Sequence, residues 1–123
     1  MDKIKYAEIT GSYSLFIGRF QPPHEGHITL MRKVLEEGGK VCIGLRDTKI
    51  DEKNPYNVEE RTELFRKFFK EEMENKSVII VGLPDIKEVV FGRTPGWKIR
   101  QIRLDKKLEN ISATKIRNEQ KNV

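Results

Sequence analysis

The stretch Gly18-Arg19-Phe20-Gln21-Pro22-Pro23-His24-Glu25-Gly26-His27 decides how this chain is read. An apolar run, Tyr13 to Ile17, leads into it like a buried strand. A helical pattern, Ile28 to Glu37, leads out. Both histidines of the chain therefore sit where a strand gives way to a helix. A helix N-terminus presents free backbone N–H groups and a positive dipole end, which makes it an anion site. Residues three apart in a first turn share a face, so His24 and His27 can donate to one phosphate together. Gly26 carries no side chain and lets a phosphate or ribose come close to the backbone. Glu25 is expected to face away, because a carboxylate aimed at phosphate would repel it. Packing or capping alone would account for one such histidine more readily than for a pair with glycine between.

Outward from that stretch the chain alternates strand and helix patterns. Ser14–Gly18 is the first strand, and Gln21, placed before proline, is biased to extended backbone. Met31, Val34 and Leu35 share one face of the following helix, which Gly38 and Gly39 end. Val41–Leu45 is a second strand, followed by a charged loop from Arg46 to Tyr56. Asn57 and Glu60 form a capping-box pair at the start of the next helix. Leu64, Phe65, Phe68 and Phe69 lie on one side of it and read as core. Ser77–Val81 is a third strand, apolar at successive positions as strands buried on both faces are. Val89–Phe91 reads as a fourth strand and Ile99–Leu104 as a fifth, more exposed one. Pro95-Gly96 marks a turn between them. Ser112 is placed to cap a short last helix through Arg117.

This order predicts an α/β fold: a Rossmann-like parallel sheet of about five strands flanked by helices, in a single compact domain. Residues 1–12 form an arm or edge strand and residues 13–123 the domain. In such sheets ligands bind at the carboxyl ends of the strands, where the two histidines fall.

Composition narrows the function. The 123 residues suit one core, and Lys plus Arg exceed Asp plus Glu by 24 to 19, a net charge of +5. So modest an excess suits a phosphorylated small molecule at least as well as a nucleic acid. The single cysteine, Cys42, cannot staple a fold and reads as a small buried hydrophobe. No apolar run approaches the roughly 20 residues of a membrane span, and no signal-peptide core opens the chain. The expectation is a soluble, cytoplasmic protein with no membrane or nucleic-acid partner.

A second segment, Ile111-Ser112-Ala113-Thr114-Lys115-Ile116-Arg117, brings two hydroxyls and a guanidinium to another helix start. A guanidinium suits bidentate contact with phosphate oxygens. By itself the segment also fits a capped surface helix. Two phosphate-binding helix starts together point to a polyphosphate.

The two segments resemble the signatures of the His-x-Gly-His nucleotidylyltransferase superfamily, the cytidylyltransferase-like group. The likeness runs from about Ser14 to Arg117. Gly18-Arg19-Phe20-Gln21-Pro22, with Asn54-Pro55-Tyr56 and Glu60-Arg61, is most similar to nicotinamide mononucleotide adenylyltransferases of the archaeal type. The resemblance implies transfer of a nucleoside monophosphate from a triphosphate to a phosphorylated small-molecule acceptor, with release of pyrophosphate. It assigns His24 and His27 to catalysis at the α-phosphate. It assigns Gly18, Arg19, Phe20, Gln21, Gly26, Ser112, Thr114 and Arg117 to the nucleotide. Mg²⁺ is implied as the companion of the triphosphate, with no metal cage in the protein: two histidines fall short of a zinc site, and no third histidine exists. Gln21 favours ATP as donor, since cytidylyltransferases for sugar-alcohol phosphates usually carry aspartate there. CTP with such an acceptor is the alternative, and a nucleotide-binding regulator or an RNA-binding module are rivals of another class.

Acceptor contacts are expected from Arg46, just past a strand end, from Arg61, a cation in a helix first turn where the dipole opposes it, and from Trp97, which can stack on a base or pack at a subunit contact. Lys49 and Lys53 lie in a loop able to close over the triphosphate. Leu45-Arg46-Asp47 stands where the archaeal group has Ser-Ala-Gln. A homo-oligomer is a further expectation.

Overall fold

The computed structural model describes residues 11–111 and 116–118. Strand β1 (Tyr13–Gly18) leads to helix α1 (Glu25–Glu36), and strand β2 (Lys40–Arg46) to helix α2 (Val58–Phe68). A short helix α3 (Lys70–Glu74), strand β3 (Val78–Leu83) and one turn of helix, α4 (Lys106–Glu109), follow. The three strands form one parallel sheet in the order β1-β2-β3. Their register aligns Phe16 with Ile43 and Ile43 with Ile80.

Each crossover steps the same way across the sheet. Right-handed connections then put α1 and α2 on one face. That face is the core: Val41, Ile43, Leu45, Val78 and Ile80 pack with Ile28, Met31 and Val34 of α1 and with Phe65 and Phe69 of the α2 region. Met31, Ile43, Phe65 and Phe69 are wholly buried. Burying one such side chain contributes about 1.5–3 kcal/mol. The opposite face carries Leu15 and Ile17 of β1, which stay 54% and 42% exposed. There the Leu83 side chain crosses Gly44, where a Cβ would stand 2.6 Å from it.

Local signals set the boundaries. Gly38 takes φ +84°, and the N–H groups of Gly38 and Gly39 return to the carbonyls of Leu35 and Val34, closing α1. Asn57 Oδ1 accepts from the Glu60 N–H at 2.7 Å and Glu60 Oε1 accepts from the Asn57 N–H at 3.2 Å, so the expected capping box opens α2.

The sheet is smaller than the sequence predicts. Among the described residues it has three strands, not five. Val89–Phe91 and Ile99–Leu104 are irregular and join no ladder. Val89, Val90 and Phe91 are 69%, 79% and 56% exposed, and Arg100 is drawn aside into a two-pronged ion pair with Glu37 (2.6 and 2.8 Å). Of this stretch only Ile102 packs against the core. Of residues 1–12, expected as an arm or edge strand, residues 1–10 lie outside the described residues.

Candidate active site

The site begins with a tight reversal after β1. Phe20 takes φ 49°, a left-handed backbone uncommon for a bulky residue and costing about 1–3 kcal/mol. The turn folds its ring back over Gly18, where a Cβ would stand 2.9 Å from the ring. Only glycine fits beneath it. The buried Phe20 ring meets two others edge to face: Phe65 of α2 at 5.2 Å and His27 at 4.7 Å between centroids. Each such pair contributes about 0.5–1.5 kcal/mol beyond burial and fixes ring orientation.

Gln21 is 3% exposed and faces protein. Its Nε2 donates to the Tyr56 carbonyl and its Oε1 accepts from the Tyr56 N–H, both at 2.9 Å. Its side chain thus clamps the loop before α2. Both ends of the amide that is expected at the nucleotide are engaged with the Tyr56 backbone. The Gln21-Pro22 peptide is cis.

Helix α1 starts three residues earlier than its apolar pattern indicates, because the histidines cap it. His24 is the N-cap, and its Nδ1 accepts from the Gly26 N–H at 3.1 Å. His27 Nδ1 accepts from the His24 N–H at 3.2 Å. This is a capping box written in imidazoles. The rings stack with centroids 3.7 Å apart and planes 22° from parallel. A nitrogen that accepts a hydrogen bond carries no proton. Each neutral ring therefore holds its proton on Nε2. Burial holds His24 below its ordinary pKa. Burial, and then the neighbouring His24, bring His27 down to about 3. The pair is neutral at pH 7 and offers two Nε2–H donors from one helix N-terminus.

Gly26 answers a packing need that the sequence reading missed. A Cβ there would stand 2.9 Å from the His24 ring and 3.3 Å from the Leu108 carbonyl of α4. Glycine lets His24 fold over its own helix and lets α4 approach. Glu25 is exposed, as its charge requires.

The carboxyl-terminal segment reaches this place. Arg117 Nη1 donates to the Gln21 carbonyl, 96 residues away in sequence. Ile116–Asn118 are helical, while Ser112 and Thr114 lie outside the described residues. Arg19 is exposed beside the histidines, and with Leu15, Ile17, Phe20, His27 and Met31 it lines a groove of about 320 Å³ along the β1 edge.

The three residues expected at the acceptor lie apart from the groove beside His27. Arg61 is 1% exposed and donates inward: Nη1 to the carbonyls of Arg19 (2.7 Å) and Arg46 (2.8 Å), Nε to that of Asn57 (3.2 Å). These bonds of the guanidinium all go to backbone carbonyls. Arg46 stands at the carboxyl end of β2, but its guanidinium pairs with Asp85, Nε to Oδ1 at 3.0 Å and Nη2 to the same oxygen. Trp97 is 78% exposed in the irregular segment and does not line the groove beside His27. Lys49 is exposed, and the Lys53 N–H closes a turn on Asp51 Oδ1 at 2.9 Å. Among the described residues no three His, Cys, Asp or Glu side chains converge as metal ligands, and no helix is long and apolar enough to cross a membrane.

Residues 15–81, just over half of the chain, match the cytidylyltransferase-like family model. The chain belongs to the cytidylyltransferase-like family. The matched span covers most of β1, the histidine pair, α1, β2, α2, α3 and most of β3. The chain is similar to the nicotinamide-nucleotide adenylyltransferase of Caldivirga maquilingensis, 41% identical over 75 residues covering 58% of this chain and 42% of that protein. That of Thermococcus sibiricus is 39% identical over 75 residues, 58% of this chain and 40% of its own. That of Pyrobaculum aerophilum is 26% identical over a 132-residue alignment covering 85% of this chain and 74% of its own. The chain thus spans about two fifths of the first two relatives. No solved structure matches it.

Proposed function

We propose that this member of the cytidylyltransferase-like family is a nucleotidylyltransferase. It moves AMP from ATP to a phosphorylated small-molecule acceptor and releases pyrophosphate. A nicotinamide mononucleotide is the first acceptor to try, since the relatives above are nicotinamide-nucleotide adenylyltransferases. Residues 13–123 act as its catalytic domain.

One observation carries the reading: two stacked, neutral imidazoles at a helix N-terminus, with both Nδ1 atoms spent on backbone and both protons on Nε2. Such a pair is a preorganised double donor. An acceptor phosphate oxygen attacks the α-phosphorus in line, the new P–O bond forms, and the bond to the β-phosphate oxygen breaks. Charge gathers on the non-bridging α-oxygens, and His24 and His27 donate to them. The α1 N-terminus adds its dipole. Arg19 and Arg117, with Ser112 and Thr114, hold the β- and γ-phosphates. No covalent intermediate is needed, so catalysis is positioning plus charge stabilisation. Mg²⁺ enters with the triphosphate as part of the substrate and neutralises its oxygens.

The test is pyrophosphate release from ATP, with CTP alongside, across a panel of phosphorylated acceptors. Release with ATP and a nicotinamide mononucleotide is the expected result. Release with CTP and a sugar-alcohol phosphate alone would replace the donor and acceptor. Nucleotide binding without release would make the chain a nucleotide-binding regulator.

A further inference from the structure

We infer that Arg61 is a positioning residue for this reaction, holding the carboxyl ends of β1 and β2 at the spacing that the histidine pair requires; this rests on the nucleotidyl-transfer reading. Gly18 and Leu45 are the last pair of the β1–β2 ladder, while Arg46 still pairs with Leu83 of β3. Arg19 and Arg46 come next, just past the end of the β1–β2 ladder. Arg61 Nη1 donates to the carbonyls of both, at 2.7 and 2.8 Å, so one nitrogen bridges the two strand ends. Nε holds the Asn57 carbonyl at the N-cap of its own helix. Three chain segments meet on one guanidinium.

The consequence reaches the imidazoles. Arg19 directly precedes Phe20, whose ring packs on His27 and on Phe65 one helical turn beyond Arg61. Arg46 closes β2, the strand beside β1. Fixing the Arg19 and Arg46 carbonyls on one atom sets the spacing of the two strand ends and, through Phe20, the seat of His27. A displacement of about 1 Å between reacting groups costs up to about 10²-fold in rate.

Stability alone accounts poorly for a cation here. Burial pulls the pKa of Arg61 below its ordinary value, with Asp47 opposing, and a buried ion is a weak source of stability compared with an apolar residue. What a guanidinium supplies that an apolar side chain or a lysine does not is a planar fork able to hold several carbonyls in fixed directions. The charge survives in Arg61→Lys; the fork does not.

The experiment compares the wild-type chain with Arg61→Lys and Arg61→Gln. Thermal melts, ATP dissociation constants, kcat and KM are measured, together with the imidazole NMR signals of nucleotide-free protein. Both variants are expected to melt cooperatively and to bind ATP within about 3-fold of wild type. Their kcat should fall by about 10-fold or more. The His27 signals should shift in both, lysine giving no rescue. Unchanged His27 signals in folded variants overturn the proposal, and so does full activity in Arg61→Lys. Loss of the cooperative fold in both variants also overturns it, making Arg61 a residue of general stability. If wild type releases no pyrophosphate with any pair, the functional reading fails, and the His27 signals still decide the role of Arg61.

Discussion

The segment from β1 to β3 and the segment after it carry similar apolar residues and end up differently. In the first, Ile43, Phe65 and Met31 reach complete burial, and every strand finds a parallel neighbour. In the second, Val90 and Trp97 stay more than three-quarters exposed, and Ile99 is fully so. Apolar content is the same kind of signal in both. What separates them is periodic support: α1 and α2 each bring an apolar face to the sheet, while residues 84–105 bring no helix and no ladder. The histidine pair belongs to the ordered half, which is why its geometry is sharply defined.

The contrast can be broken most forcefully through the core. Phe65→Ala removes a wholly buried ring and is expected to cost about 3–5 kcal/mol, read from denaturant unfolding. Val90→Ala should stay within about 0.5 kcal/mol. Equal losses would mean that the second half is packed after all.

The next effect sharpens the place of the histidines in the ordered half. His27→Ala should lower kcat by at least about 10², about 2.7 kcal/mol, with a cooperative melt retained. A near-normal rate would remove the ring from catalysis.

pH probes the same pair. A base whose folded pKa is depressed binds fewer protons folded than unfolded, so its stabilising effect is whole above the ordinary value. His27 is lowered from 6.5 to about 3, and His24 is lowered too. Stability should therefore fall as pH drops from about 6.5 towards 3, since a proton on Nδ1 ends its service as a cap acceptor. Replacing both histidines with asparagine should remove the part of that slope in melting temperature above about pH 5, below which Glu37 and Asp51, both lowered, add a slope of their own. A slope surviving above about pH 5 in the double variant would contradict the assignment to the histidines.

The smallest effect belongs to the tie between the halves. Glu37 and Arg100 form an exposed pair screened by solvent, and Arg100→Ala should leave the melting temperature close to that of wild type. A marked drop would mean that this pair anchors the second half to α1.

Much of the ordered half is legible in the sequence. The three-residue steps of Met31 and Val34, the Asn57–Glu60 box and the Gly38–Gly39 stop are local signals, and each element falls where they indicate. The histidines are legible as a helix start, though the helix opens at Glu25, because imidazoles stand in for the usual hydroxyl and carboxylate caps. The fourth and fifth strands are not legible: Val89–Phe91 shows a preference for burial but not a partner. The bonds of Arg61 are not legible for the same reason. Its place in a first turn is local, while two of its acceptors lie 42 and 15 residues away. Gly26 reads as room for a ligand, whereas the His24 ring and the Leu108 carbonyl occupy that side.

The most direct test reads the imidazole nitrogens of ¹⁵N-labelled protein at pH 7, before and after a non-hydrolysable ATP analogue is added with Mg²⁺. Both rings should be neutral with the proton on Nε2, and both Nε2 signals should move on binding. Rings protonated on Nδ1, or Nε2 signals that ignore a bound nucleotide, would contradict the account.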